Sequence, residues 1–310
     1  LTPIRVLKGA YIGTTFLGDN PSNPIISIAA GAYYTSALAA DGTIYSFGEG
    51  FYGQLGDGAF IQRLTPVRAL KGAYNGTTFL GDNLSNPIVK ISGGVFHTLA
   101  QTANGNVFSM GYNNYGQLGN GNTTNQGSPV QVLKGNYAGT TYLGDNKINP
   151  AISVSASYYH SMILTENGSV FTMGDNTNGQ LGDGTLMGKL TPVQVLKGAY
   201  TGTTYLGDNP SNKIVAITTG IWGGTTLAEN GQVYGFGSNN FGQLGDGSVT
   251  NRTTPVMALK GGYVGVTNLG DYPSNPIVSI SSGWDHTMAI AADGFVFTVG
   301  NNGNGQFGDN

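Results

Sequence analysis

Three histidines, His97, His160 and His286, share one repeating position, the first two being 63 residues apart and the last twice that distance further on. A ring of imidazoles at equivalent places would offer nitrogen ligands to a metal such as zinc. The other two occurrences of the position hold Tyr34 and Gly223, which would break the ring. A histidine at the start of a strand can also satisfy neighbouring backbone groups without any ligand. The expectation is no metal and no cofactor.

The carboxylates are distributed in the same way. Asp19, Asp82, Asp145, Asp208 and Asp271 each close a Leu-Gly-Asp, and Asp57, Asp183 and Asp246 close a second such tripeptide after Gly-Gln, with Asp309 closing Phe-Gly-Asp in the last copy and Asn120 in the remaining one. Asp and Asn exchange freely where a side chain bonds turn backbone, which is the role expected here. Lys8, Lys71, Lys134, Lys197 and Lys260 keep the same spacing and are expected to pair with the first aspartate set. The run Asp175-Asn176-Thr177-Asn178-Gly179 resembles a calcium loop in composition but lacks the further carboxylates and closing Glu of one. Catalysis needs one nucleophile, one base and one charge stabiliser, whereas nearly every ionisable group here belongs to a repeated set. The chain therefore reads as no enzyme.

What positions these residues is a repeat. Gly-Gln-Leu or Gly-Gln-Phe begins at Gly53, Gly116, Gly179, Gly242 and Gly305, always 63 residues on, so five copies fill the 310 residues. Each copy carries an apolar run such as Ile25 to Ile28, an alternating run such as Thr35 to Leu38, then Asp41-Gly42 and a second alternating run from Ile44 to Phe47. Asn-Gly or Asp-Gly between alternating runs signals a hairpin. A strand such as Thr65 to Leu70 follows the Gly-Gln loop, with Pro66 near its start, where a missing N–H costs least. A four-stranded meander this small buries both faces only against neighbours, which is the logic of an all-β propeller. The blades are expected at 25–70, 88–133, 151–196, 214–259 and 277–310 plus 1–7, in one domain spanning 1–310.

The run Gly94 to Ala100, then Asn104 to Gly111, then Tyr115 to Gly121 resembles the regulator-of-chromosome-condensation repeat, whose pattern is a glycine, a His-Thr or His-Ser, an apolar run, a turn glycine, an aromatic-Gly pair and Gly-Gln-Leu-Gly. The resemblance covers all five copies. It implies a propeller and little about activity, because the family includes a chromatin-bound exchange factor, a plant light receptor, secreted inhibitors and bacterial surface proteins. Two departures stand out. Each copy adds a segment such as Lys71 to Asp82, read as a projecting hairpin or ordered loop, and there are five repeats where family rings are usually seven-bladed.

Leu1, Thr2, Pro3, Ile4, Arg5, Val6 and Leu7 match the fourth strand without a preceding blade, while the last copy shows no fourth strand. Pairing of this heptapeptide with Phe295 to Val299 would close the ring and remove its edges. The competing arrangement joins it to a neighbouring copy as a head-to-tail polymer. Leu1 in place of an initiator methionine reads as a portion of something longer.

Differences among blades create specificity on a repeated scaffold. The first-turn aromatics Tyr33, Phe96, Tyr158, Tyr159, Trp222 and Trp284 would form a rim suited to protein or glycan contact, beside Phe51, Tyr52, Tyr112, Tyr115 and Phe241 in the loop before Gly-Gln. Charged residues are only 9%, net charge is −3, and 52 glycines and no cysteine are present. That balance provides no basic surface for nucleic acid and no disulfide framework. No apolar run is long enough for membrane insertion. The sequence thus reads as a noncatalytic extracellular or cell-surface scaffold, bacterial in character, binding a protein or glycan. Its alternative is a structural subunit assembling with copies of itself.

Overall fold

Short alternating runs separated by glycine turns leave the backbone no option but strands, and the computed structural model, which describes residues 2–309, contains five antiparallel sheets. Leu1 and Asn310 lie outside the described residues. Blade 1 holds β1 (Ile25–Ala30), β2 (Tyr34–Ala39), β3 (Ile44–Gly48) and β4 (Arg63–Arg68). Blade 2 holds β5 (Ile88–Gly93), β6 (His97–Thr102), β7 (Val107–Gly111) and β8 (Gln126–Gln131). Blade 3 holds β9 (Ala151–Ala156), β10 (His160–Thr165), β11 (Val170–Gly174) and β12 (Lys189–Gln194). Blade 4 holds β13 (Ile214–Thr219), β14 (Gly223–Ala228), β15 (Val233–Gly237) and β16 (Arg252–Met257). Blade 5 holds β17 (Ile277–Ser282), β18 (His286–Ala291) and β19 (Val296–Gly300).

Within each blade the strands pair in chain order, and the first turns of all five blades surround one hollow of about 510 Å3. This is a propeller arrangement. The core lies between blades, so the middle strands have no solvent side: every residue of β6 and of β10 is buried. One such interface joins Leu99, Val107 and Val132 of blade 2 to Val154, Ile163 and Phe171 of blade 3. Gly-Gln-Leu serves the same interfaces. Its leucines, Leu55, Leu118 and Leu181, are wholly buried, and the glutamine amide oxygen accepts from its own loop, as Gln54 Oε1 does from the Tyr52 N–H at 3.0 Å.

The hairpin turn is longer by one residue than a two-residue Asp-Gly turn. The Gly42 N–H donates to Ala39 O and the Ala39 N–H to Thr43 O, which puts Gly42 in the left-handed region at φ 88° as the bulge of a three-residue loop. Asp41 Oδ1 accepts from the Thr43 N–H and fixes the turn from the side.

The inserted segment does not project. Leu70 and Phe79 form an isolated bridge, and the segment between them folds back so that Tyr74 is buried edge-on against Phe108 of the next blade, centroids 5.6 Å apart. Tyr11, Tyr137, Tyr200 and Tyr263 repeat this wedge. Asp82 supports it by accepting from the N–H groups of Thr77, Thr78 and Phe79 at 2.8–2.9 Å. The expected lysine pairing is corrected here: Lys8 Nζ donates to Gly13 O at 3.0 Å, and the other four repeat lysines donate to the equivalent glycine carbonyls. The backbone N–H groups already occupy the carboxylate. Among the described residues the ion pairs are Arg63–Asp57, Lys189–Asp183 and Arg252–Asp246.

Ring closure by the leading heptapeptide is also corrected. Blade 5 has three strands, and no hydrogen bond among the described residues joins Thr2, Pro3, Ile4 or Val6 to β19. Local pairing holds the heptapeptide to its own insert instead: Leu7 bridges Phe16 and Val6 O accepts from the Leu17 N–H at 2.9 Å. The outer faces of the two end blades stay open. Ile28 on blade 1 is 75% exposed and Val296 on blade 5 is 59% exposed, whereas Val107 and Val170, equivalent to Val296, are wholly buried.

Candidate functional site

The most distinctive surface is built by one backbone hydrogen bond repeated in every blade. The residue at the end of the first turn accepts, through its carbonyl, the N–H of the residue opening the Gly-Gln loop: Tyr33 O from Glu49, Phe96 O from Tyr112, Tyr159 O from Asp175, Trp222 O from Ser238 and Asp285 O from Asn301, at 2.8–2.9 Å. First turn and Gly-Gln loop are thereby held side by side. Two sets of aromatics, far apart in sequence, become one surface.

That surface is continuous over four blades. Tyr33 stacks on Phe96 at 6.4 Å, Phe96 meets Tyr158 at 5.7 Å, and Tyr159 meets Trp222 at 5.7 Å. Tyr158 and Tyr159 touch one another. From the Gly-Gln loops Tyr52 packs on Phe96 at 4.9 Å, Tyr112 on Tyr52 at 5.0 Å and Tyr115 on Tyr159 at 4.4 Å. Tyr33 is exposed, while Phe96, Tyr159 and Trp222 are half-buried against one another, so the array is rigid yet keeps ring surface in solvent. Burial pushes the Tyr159 and Tyr112 phenols upward, with neighbouring phenols adding to the rise, so both are neutral hydrogen-bond donors at pH 7.

Of the five rim residues expected from sequence, the structure brings Tyr33, Phe96, Tyr159 and Trp222 together and leaves Trp284 apart. Trp284 occupies the position of Tyr158 and Ile221; the slot equivalent to Trp222 holds Asp285. Trp284 stands exposed on the rim of the hollow without an aromatic partner among the described residues. Spacing alone would have separated the two sets, since Trp222 and Trp284 are 62 residues apart and not 63. The role of Tyr52, Tyr112 and Tyr115 in the same array had no signal in spacing, because it depends on the cross-loop hydrogen bond.

The charge on this face is acidic. Glu49, Asp175 and Asp285 stand at or beside the turns, and no Lys or Arg occurs in any first turn or in the residues from loop start to Gly-Gln. Burial raises the Asp285 carboxyl, opposed by His286. Asp175 is engaged by Gln180 Nε2 at 2.7 Å and by the Thr177 hydroxyl at 2.8 Å. The histidines assemble no metal-ligating group among the described residues: His97 is buried with Nε2 2.8 Å from Ser161 Oγ of the next blade, and His160 is buried within blade 3. Among the described residues no group of three metal-ligating side chains is assembled, and no helix is long and apolar enough to cross a membrane.

Five meander sheets about one hollow, each with a Gly-Gln-Leu or Gly-Gln-Phe loop, define a repeat β-propeller with a loop-built face. The chain belongs to the family of the Regulator of chromosome condensation (RCC1) repeat, whose model matches residues 41–101, 104–164, 167–222 and 230–290. A second model of the same repeat matches 25–54, 88–117, 151–180 and 277–306. Among curated relatives, the Ultraviolet-B receptor UVR8 of Arabidopsis thaliana is 27% identical over 338 residues, covering 95% of this chain and 69% of the receptor. Among solved structures, human WBSCR16 superposes with a TM-score of 0.73 at 20% identity, over 92% of this chain and 64% of that one. Prp20p of Saccharomyces cerevisiae superposes with a TM-score of 0.64 at 21% identity, over 89% of this chain and 57% of that one. The chain thus spans under two thirds of these two solved propellers.

Proposed function

We propose that this protein is a noncatalytic binding scaffold that recognises a protein partner through the aromatic face of blades 1 to 4. The continuous ring contact from Tyr33 to Trp222 carries this reading. Preorganised Tyr and Trp side chains lose little conformational freedom on binding and are enriched where binding energy concentrates. The nearby Glu49, Asp175 and Asp285, with no Lys or Arg in the first turns or in the loops before Gly-Gln, favour a segment in which Arg or Lys alternates with apolar residues, since cations sit well on electron-rich ring faces. The same fold in Prp20p is described by its binding to Gsp1p and histones, which supports a protein over a glycan as partner. Low charge, with solubility resting on Asn, Thr, Ser and Gly, supports an extracellular or cell-surface setting.

The test is paired capture. Wild type and a Tyr159→Ala/Trp222→Ala variant of matched circular dichroism are used as bait against surface-protein and glycan panels. Partners held by wild type and lost by the variant support the reading; partners held equally by both, or by neither, overturn it.

A further inference from the structure

We propose that the polar cleft between the two inserts that flank blade 3 is a binding site for a sugar residue. This inference is independent of the aromatic face, because the cleft lies at the hairpin-turn end of the strands and the aromatic rings at the opposite end.

The cleft has a volume of about 490 Å3, within the range of small-ligand sites. Its walls are held to one another through backbone. Asn149 Oδ1, at the end of one insert, accepts from the Asn167 N–H in the hairpin turn at 2.9 Å. The next insert rests on the same turn: a Cβ at Gly207 would lie 1.8 Å from Gly168 O, so glycine alone permits this approach. Asp208 beside it is fixed by the N–H groups of Thr203, Thr204 and Tyr205 at 2.8–2.9 Å. The site is therefore shaped before any ligand arrives.

A departure from the repeat opens it. In blade 4 the corresponding space holds Gln232, whose Oε1 accepts from the Tyr234 hydroxyl at 2.9 Å and from the Asn230 amide at 3.0 Å. In blade 1 Arg68 lies over the Tyr45 ring, 5.7 Å from its centroid. Blade 3 has Ser169, Phe171 and Gln194 at the places of Gln232, Tyr234 and Arg68. Ser169 is short, Phe171 carries no hydroxyl, and Gln194 donates through Nε2 to Ser169 Oγ at 3.1 Å, which keeps its Oε1 as an acceptor. At the turns of blades 1 and 5 the Asn23 and Asn275 amides donate to Asp41 and Asp293 at 2.8 and 2.7 Å. With Asn167 in the aspartate's place, the Asn149 amide has no such carboxylate acceptor.

Two residues are peculiar to this copy of the cleft. Lys213 stands where the other copies have Pro24, Pro87, Pro150 and Pro276, and Asn136 where they have Ala10, Ala73, Ala199 and Gly262. Lys213 is half-buried, and its ammonium belongs to none of the three ion pairs among the described residues. The lining is thus mixed: Asn136, Asn149, Asn167 and Gln194 each carry donor and acceptor, Lys213 adds donors and Asp208 acceptors. A sugar hydroxyl likewise donates and accepts, so a ring bearing several of them matches these groups from many sides. Phosphate or sulfate offers acceptors alone and would meet the Asp208 carboxylate. An apolar side chain would leave the amides without partners.

Saturation-transfer NMR of the 310-residue chain with glucose, galactose, N-acetylglucosamine and glucuronate tests this, followed by calorimetric titration of those that bind. At least one should bind with a dissociation constant of about 1 mM or tighter. Lys213→Pro restores the residue of the other copies, and Ser169→Gln the side chain that fills blade 4. Each should weaken binding by about tenfold or more with unchanged circular dichroism, whereas Tyr159→Ala/Trp222→Ala should leave it intact. Binding of none of these sugars overturns the proposal, and so does binding that survives both cleft substitutions or is lost with the aromatic pair.

Discussion

The hydroxyl of Tyr34 donates to the carbonyl of His97 in the next blade at 2.6 Å and accepts from the Thr98 hydroxyl at 2.9 Å. One repeat further on, His97 Nε2 meets Ser161 Oγ at 2.8 Å, and Ser161 Oγ donates to Gln117 O. In blades 1 and 2 this position thus makes an inter-blade contact, through a tyrosine in the first and a histidine in the second. Tyrosine performs the same task with a longer reach.

Tyr34→Phe should loosen the junction of blades 1 and 2. It removes a fully buried hydrogen bond and leaves the His97 carbonyl short of a partner, a loss of about 1–3 kcal/mol. Amide exchange in β2 and β6 should accelerate while β14 is unaffected, because repeat arrays transmit destabilisation mainly to nearest neighbours.

Acid should destabilise the chain before its carboxylates titrate. Burial lowers His97 to about 3 and His160 to about 4, His160 adding to the effect on His97. The unfolded chain takes up protons near the ordinary histidine value of about 6.5, whereas the folded chain resists until well below it. The stabilising effect is complete above that ordinary value and fades as pH falls toward about 4 and 3. Urea midpoints measured between neutral and mildly acid pH should fall steadily, and His160→Leu should flatten the slope.

Asp82→Asn should melt one insert without unfolding the ring. The backbone N–H groups of Thr77, Thr78 and Phe79 hold its pKa down to about 2 against the opposing effect of burial. The amide cannot accept from all three donors, and the local cost is about 1–2 kcal/mol. Faster exchange confined to Lys71–Asn86 is the expected readout; a uniform change across all five inserts would refute the capping role.

Two equivalent turn glycines should separate backbone strain from crowding. Gly294 at φ 90° has nothing within 4 Å of a Cβ, whereas at Gly105, φ 89°, a Cβ would collide with Pro150. Gly294→Ala should cost about 1–2 kcal/mol of left-handed strain, and Gly105→Ala clearly more. Local exchange in β19 and β7 compares the two.

Tyr33→Ala should change stability by less than about 0.5 kcal/mol, since its ring is 68% exposed. Tyr159→Ala removes a ring that touches Tyr115, Tyr158 and Trp222 and should cost about 1–2 kcal/mol. Thermal midpoints of the two variants check the difference.

The five-fold period, the alternating runs and the Asp-Gly and Asn-Gly turns made the strands and the propeller class legible, because strand periodicity and turn chemistry are local properties written over a few residues. The aspartate caps were legible for the same reason. The aromatic face was legible only in part: Tyr33, Phe96, Tyr159 and Trp222 could be picked out as a set, but their union with Tyr52, Tyr112 and Tyr115 depends on hydrogen bonds between segments some 16 residues apart, such as Phe96 and Tyr112. Trp284 was misplaced by one position for want of that register. The insert's buried tyrosine was decided by packing between blades, and the lysine bond to a glycine carbonyl by the fold-back of the insert. A wedge between blades exists only once neighbouring sheets are set beside each other, and their separation and tilt depend on every side chain between them.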